Sequence, residues 1–201
     1  MLHLYNLHFT YPATPDQPLF NGLAARIPAG VTLVCGGDGC GKSTLLRLLA
    51  GELAPRSGQV VMDGMDRSQV FWMDPRSDAV NTALSDVVVQ AYFDALPAQW
   101  PQLDTAWLAE LTGELGLSPH AHKPMFMLST GSRRKVLLAA ALASGAALTL
   151  VDEPFAALDA PSIRSVTAAL QRVAAQPHRA CVIADYQAPL GVSLASVLTL
   201  D

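Results

Sequence analysis

Residues 36–43 read Gly-Gly-Asp-Gly-Cys-Gly-Lys-Ser, the G-x-x-x-x-G-K-[ST] spacing of a phosphate-binding loop. They stand between an apolar run at 31–35 and an apolar-periodic stretch at 44–50, the strand, loop and helix order such a loop needs. Gly36, Gly37, Gly39 and Gly41 let the backbone wrap a phosphate with its N–H groups inward, at the positive end of a helix predicted to begin near Lys42. Lys42 is suited to neutralise β and γ oxygens, and the Ser43 hydroxyl to ligate Mg²⁺, a hard cation held by few protein oxygens beside phosphates. With Asp38, Cys40 and Thr44 completing the loop and the first helical turn, residues 36–44 form the candidate nucleotide-binding stretch. An ordinary glycine turn before a helix is the bland alternative.

A second constellation ends the apolar run 148–151, where Asp152 and Glu153 stand side by side before Pro154. Successive side chains of a strand point to opposite faces, so adjacent acids there can divide labour. Asp152 can orient Mg²⁺ or its water while Glu153 polarises a water toward the γ-phosphate. A solvated loop pair is the competing reading. Third, Leu128-Ser129-Thr130-Gly131-Ser132 precedes Arg133-Arg134-Lys135 and an uncharged apolar helix from Val136. Ser129 is placed to cap that helix, and its hydroxyl with the amides of Gly131 and Ser132 makes a second anion-binding helix start. One chain already has a cradle at 36–43, so a second cradle suggests a second chain.

The elements that must position these groups are alternating strands and helices. Short apolar runs at 31–35, 148–151 and 180–184 read as buried parallel strands of an α/β core. Before residue 29, short apolar pieces broken by prolines predict strands and turns, and 59–62 followed by Asp63-Gly64 predicts a strand ending in a hairpin turn. From about 81 to 117 the pattern is helical, with Val87, Val88, Ala91 and Tyr92, then Trp107, Leu108, Leu111 and Leu115, at helix spacing. The fold class expected is therefore α/β: a parallel-sheet nucleotide core, a small antiparallel β-subdomain, and an inserted helical subdomain over about 76–145, all in one domain spanning 1–201.

Composition agrees with one such domain in 201 residues. Charged residues make up only 15% of the chain against 51% hydrophobic, so either a partner covers surface or alanine-rich helices dilute the charge. A net charge of −4, with no basic run that suggests nucleic acid, argues against such a partner. Cys35, Cys40 and Cys181 lack framework spacing, which predicts a reducing, cytoplasmic setting and no disulfide. The first residues lack a secretory pattern, and the uncharged stretch 136–151 is too short to span a bilayer, reading as helix, turn and strand.

Taken together, these residues resemble the ATP-binding cassette (ABC) ATPases over essentially the whole chain. Residues 36–43 match the Walker A motif, 128–132 the signature, 150–154 Walker B, and Ala157-Leu158-Asp159 the D-loop. The resemblance implies ATP and Mg²⁺ as cofactors, with each nucleotide sandwiched between Lys42 of one subunit and Ser129, Gly131, Ser132 and Asp159 of another. It also implies a homodimer or heterodimer with another ABC ATPase, working on membrane-spanning permease subunits at the inner face of the membrane. Tyr11 matches the aromatic that stacks on adenine, although an aromatic before proline is also ordinary core.

Departures from the family pattern bear on turnover. Thr130 and Ser132 replace a glycine and the glutamine of the signature. The glutamine that links Mg²⁺ to the helical lobe is missing, its place falling on Met73 or Asp74, so Asp74 is the candidate oxygen donor to the metal. After Ile183-Ala184-Asp185, Tyr186 replaces the switch histidine. A phenol donates one hydrogen bond but stays neutral below a pKa of about 10, so it supplies no imidazolium charge. The resemblance therefore implies a transport ATPase with weakened hydrolysis, Glu153, Lys42 and Tyr186 being the catalytic candidates. A soluble ABC dimerisation switch is the alternative, and a small-molecule P-loop kinase fits the length but leaves 128–132 unexplained. His120 and His122 read as a solvated loop, Arg133-Arg134-Lys135 as a solvated or phosphate-proximal face, and Trp72, Trp100 and Trp107 as packing residues, of which Trp100, between Gln99 and Pro101, is the one offered as exposed on the helical lobe.

Overall fold

The computed structural model describes residues 1–72, 74 and 78–201, residues 78 and 79 by their backbone alone. In chain order the elements are β1 (Leu2–Phe9), β2 (Phe20–Ile27), β3 (Gly30–Cys35), α1 (Lys42–Ala50), β4 (Ser57–Met62), β5 (Val70–Trp72), α2 (Asp78–Leu84), α3 (Val89–Gln99), α4 (Thr105–Glu114), α5 (Thr130–Ala143), β6 (Leu148–Asp152), α6 (Ala160–Ala174), β7 (Ala180–Ala184) and β8 (Leu194–Thr199). The three uncharged runs become neighbours in a five-stranded sheet ordered β5-β6-β7-β3-β8, every pair parallel. β6 and β7 are buried along their whole length because helices cover both faces, whereas β8, at the edge, alternates.

The period of two in these strands sorts side chains into two cores. Ala180, Val182 and Ala184 of β7, with Leu148 and Leu150 of β6, face α1 and its buried Leu45, Leu46, Leu48 and Leu49. Cys181, Ile183 and Val151 face the other way, onto α5, α6 and the α3–α4 pair. Outside α1 lies the small antiparallel sheet β2-β1-β4, whose Leu2, Leu4 and Leu7 close the first core. The α/β class with a parallel sheet, a small antiparallel sheet and added helices is thus as expected.

Two expectations are corrected. The strand at 57–62 forms, but it pairs with β1, and the turn at Asp63-Gly64 leads into β5 of the other sheet instead of a hairpin. Trp100 is 6% exposed, because its ring packs on Phe71 at 5.1 Å in the core beneath α3. Among the described residues, no helix is long and apolar enough to cross a membrane.

Candidate functional site

Parallel strands all end on one edge of the sheet, so the loops after β3, β6 and β7 meet there. The loop after β3 carries Gly41, whose φ of +100° caps α1 and whose added Cβ would lie 2.9 Å from Phe20. Only glycine is free of that strain and crowding. A Cβ on Gly37 would meet nothing within 4 Å, so this glycine lines the open side of the loop. Lys42 is 8% exposed, and its Nζ donates to the carbonyls of Gly36 and Gly37 at 2.7 Å each, with Cys40 Sγ at 4.0 Å. The ammonium therefore sits inside the ring of backbone that a polyphosphate would enter.

Ser43, the second residue of α1, donates its hydroxyl to Asp152 Oδ2 at 2.6 Å, across 109 positions of sequence. A hydroxyl and a carboxylate, side by side at the strand ends and next to a phosphate cradle, form an oxygen donor set that fits Mg²⁺. No cluster of three or more His, Cys, Asp or Glu residues suited to a metal occurs among the described residues, so a metal here would draw most of its ligands from phosphates and water. Asp74 follows β5, whose C-terminal end lies beside that of β6 on the same edge. Met73 lies outside the described residues.

Glu153 turns the chain out of β6. Its N–H donates to Ala184 at 2.8 Å and its φ is +49°, a left-handed conformation that costs a residue bearing Cβ about 1–2 kcal/mol. The carbonyls of Asp152 and Glu153 both accept from Nη2 of Arg134, at 2.5 Å. Arg134 is consequently a buried strut and not the solvated residue expected, while Arg133 reaches Asn81 at 3.2 Å and Lys135 pairs with Asp159 at 2.6 Å.

At the end of β7, burial holds the Asp185 carboxyl above its ordinary range, and the charge of Asp152 adds to the shift. Tyr186 donates its hydroxyl to Asp38 Oδ1 at 2.6 Å, and Lys42 Nζ lies 4.5 Å from the centre of its ring. Tyr11 packs edge-on against Phe9 at 5.0 Å and bonds Thr44 Oγ1 through its hydroxyl at 2.8 Å, which anchors the aromatic beside the first turn of α1.

At the candidate second cradle the structure shows the helix cap that the sequence predicts. Ser129 caps α5, accepting from the Ser132 N–H at 3.1 Å and donating to the Ser132 hydroxyl at 3.0 Å. Gly131 abuts the carbonyl of Ala157, where an added Cβ would sit 2.5 Å away. Asp159 caps α6 through the Ser162 N–H at 2.8 Å, and its bond to Lys135 holds its carboxyl below the usual range. The polar contacts of loop 36–44 run to Asp152, Tyr186 and Tyr11, whereas Ser129, Gly131 and Ser132 pack against one another and Ala157. Sequence reasoning missed the Asp38–Tyr186 contact and the partners of Arg134; a cation triad opening an otherwise uncharged helix was the one available signal.

A protein-family profile described as ABC transporter matches residues 20–156. The cytochrome c biogenesis ATP-binding export protein CcmA of Zymomonas mobilis is 35% identical over 182 residues, covering 86% of this chain and 77% of its own. The aliphatic sulfonates import ATP-binding protein SsuB 2 of Agrobacterium fabrum is 38% identical over 149 residues, covering 71% of this chain and 54% of its own. Among solved structures, an ABC transporter ATP-binding protein from Pyrococcus furiosus superposes with a TM-score of 0.77 over 99% of this chain and 96% of its own, at 19% identity. The chain belongs to the ABC transporter family and is one of its ATP-binding ATPase members.

Proposed function

We propose that residues 36–44 bind MgATP, that two ATP-binding chains close head to tail around two nucleotides, and that slow hydrolysis reopens them to move permease subunits in the membrane. The observation that carries the ATPase reading is the Ser43–Asp152 contact at 2.6 Å beside Lys42 in its glycine loop. Ser43 and Asp152, with Asp74 as a further oxygen donor, would hold Mg²⁺, which would supply charge neutralisation to the polyphosphate. Lys42 leaves the Gly36 and Gly37 carbonyls for phosphate oxygens. Glu153 takes a proton from the attacking water as its oxygen bonds to the γ-phosphorus and the bond to the β-bridging oxygen breaks, leaving ADP and phosphate.

The dimer reading rests on the second cradle: Ser129 caps α5 through Ser132, Gly131 abuts Ala157 and Asp159 caps α6, a second helix-start constellation suited to a neighbour's nucleotide. The two relatives carry ATP-binding with export or import in their names, which supports reading this chain as an ATP-driven engine for a separate permease. The helical subdomain, about residues 76–145, is the part that meets it, and the exposed Phe126 and Met127 ahead of Ser129 offer apolar surface there. The chain then works in the cytoplasm, on the inner face of the membrane. Tyr186 in the switch position donates a neutral hydrogen bond in place of a cationic one. A single missing interaction of this kind slows turnover roughly tenfold, about 1.4 kcal/mol of barrier.

Steady-state phosphate release tests this reading. Wild type is expected to turn over slowly, Tyr186→His faster, and Glu153→Gln to retain ATP without turnover while dimerising. Rapid wild-type release indifferent to Tyr186→Phe overturns the weakened-switch part. A strictly monomeric ATP-loaded Glu153→Gln protein, alone and with its permease, overturns the sandwich.

A further inference from the structure

Two consecutive carbonyls, of Asp152 and Glu153, converge on one nitrogen, Nη2 of Arg134, each at 2.5 Å. In an extended strand successive carbonyls point to opposite sides, so both reach one donor only where the chain has turned. It turns at Glu153, at φ +49°, directly after β6. The guanidinium nitrogen carries two N–H groups and matches this pair of acceptors. Arg134 is 9% exposed, and the Glu153 carbonyl it holds also accepts the Ala156 N–H at 3.1 Å, so the clamp extends into the following turn.

Arg134 stands in the first turns of α5, the helix that Ser129 caps. Two more contacts join the same end of α5 to the same loop: Gly131 against the Ala157 carbonyl, and Lys135 Nζ on Asp159 Oδ2 at 2.6 Å. Residues 129–135 and 152–159 are therefore one packed body. Arg134 is the contact that joins the α5 start to the backbone of Glu153 itself.

We infer that Arg134 is a positioning residue, whose guanidinium locks Glu153 in the left-handed turn that aims its carboxylate and ties that aim to the position of the Ser129 end of α5. The inference rests on the proposed role of Glu153 as the base. It separates the two tasks of the site: Lys42, Ser43 and the glycine loop hold nucleotide, and Arg134 acts on the chemical step alone.

The test uses the full chain with Arg134→Met, which keeps the apolar stem, and Arg134→Lys, which keeps a cation near the carbonyls. Three quantities are measured: kcat and KM for MgATP, the ATP dissociation constant, and amide hydrogen exchange. Arg134→Met is expected to lose at least tenfold in kcat with KM and ATP affinity within twofold of wild type. Exchange at the Glu153 and Ala156 amides should quicken at least tenfold while α1 stays protected. Arg134→Lys should recover a substantial part of both, and it carries the test alone should the methionine variant not fold, with kcat and exchange then between the wild-type value and a tenfold change. Exchange at Glu153 and Ala156 equal to wild type in a folded variant overturns the inference, as does a kcat loss matched by an equal loss of ATP affinity. A wild-type chain that neither binds nor hydrolyses ATP overturns the ATPase reading itself, which sets that failure apart from a failure of the Arg134 clamp.

Discussion

Tyr186 donates its hydroxyl to Asp38 at 2.6 Å while its ring lies 4.5 Å from the Lys42 ammonium. One side chain thus ties the end of β7 to two positions of the glycine loop. A polyphosphate entering the loop meets a carboxylate at Asp38 and an ammonium already engaged by the Gly36 and Gly37 carbonyls. Both arrangements oppose the ligand before it is bound.

Asp38→Asn is therefore expected to tighten ATP binding. A unit charge a few ångströms away in a solvated setting is worth about 1 kcal/mol, or roughly fivefold in affinity. Titration with ATP at low and high salt checks the origin: the gain should shrink as salt rises, because screening already weakens the wild-type repulsion. An affinity unchanged at low salt refutes it.

Two glycines separate fold from function. A methyl group on Gly131 would lie 2.5 Å from the Ala157 carbonyl, whereas on Gly37 it would meet nothing within 4 Å. Gly131→Ala should lower stability by about 1–3 kcal/mol through overpacking and reduce turnover with it. Gly37→Ala should leave the denaturation midpoint in place and weaken ATP binding, since its methyl group projects into the face a phosphate would use. Urea denaturation together with ATP titration distinguishes the two.

The parallel core and the cradle were legible because each is written locally. Uncharged runs at 31–35, 148–151 and 180–184, each short and following a helical pattern or a turn, read as strands covered on both faces, and the glycine spacing at 36–41 specifies its own loop. Ser129 as the cap of α5 was legible for the same reason. What stayed hidden depends on distant neighbours. Nothing beside Arg134 in sequence announces carbonyls 18 and 19 residues away. Trp100 owes its burial to Phe71, and the turn after β4 mimics a hairpin, although β4 finds its partner in β1 and not in β5, the next strand of the chain.

The Lys135–Asp159 pair predicts a pH dependence of stability. Its hydrogen bond to Lys135 depresses the Asp159 carboxyl below the ordinary value of 3.8, so the folded state binds fewer protons there than the unfolded state. Its contribution is present above that value and is lost as the pH falls through the lower folded-state value. Asp159→Asn should lower the melting temperature most near neutral pH, and the gap to wild type should begin to narrow below about pH 4 and go on narrowing as the pH falls further. A gap that persists unchanged in acid assigns the loss to packing instead.

Arg179 fixes the end of α5 remote from Ser129. Its buried guanidinium donates to the carbonyls of Leu142 at 2.9 Å and Ala146 at 3.0 Å and to the Thr149 hydroxyl at 3.1 Å, joining the end of α5 to β6 from the start of β7. Arg179→Leu leaves those buried acceptors unpaired, which should cost about 2–4 kcal/mol, read as a lower urea midpoint with the slope unchanged. Cys181, two residues on, supplies an independent probe. Burial pushes its thiol up to about 12, and Arg179 pulls it partly back. Removing Arg179 would thus make the thiol less acidic, so any faster labelling of Cys181 reports opening of the structure and not a change of ionisation. Cys181 of wild type should resist thiol reagents at pH 8, in contrast to the partly exposed Cys35 and Cys40, and in Arg179→Leu it should label in mild urea well before it does in wild type. Equal labelling in both proteins would place the anchor of α5 elsewhere.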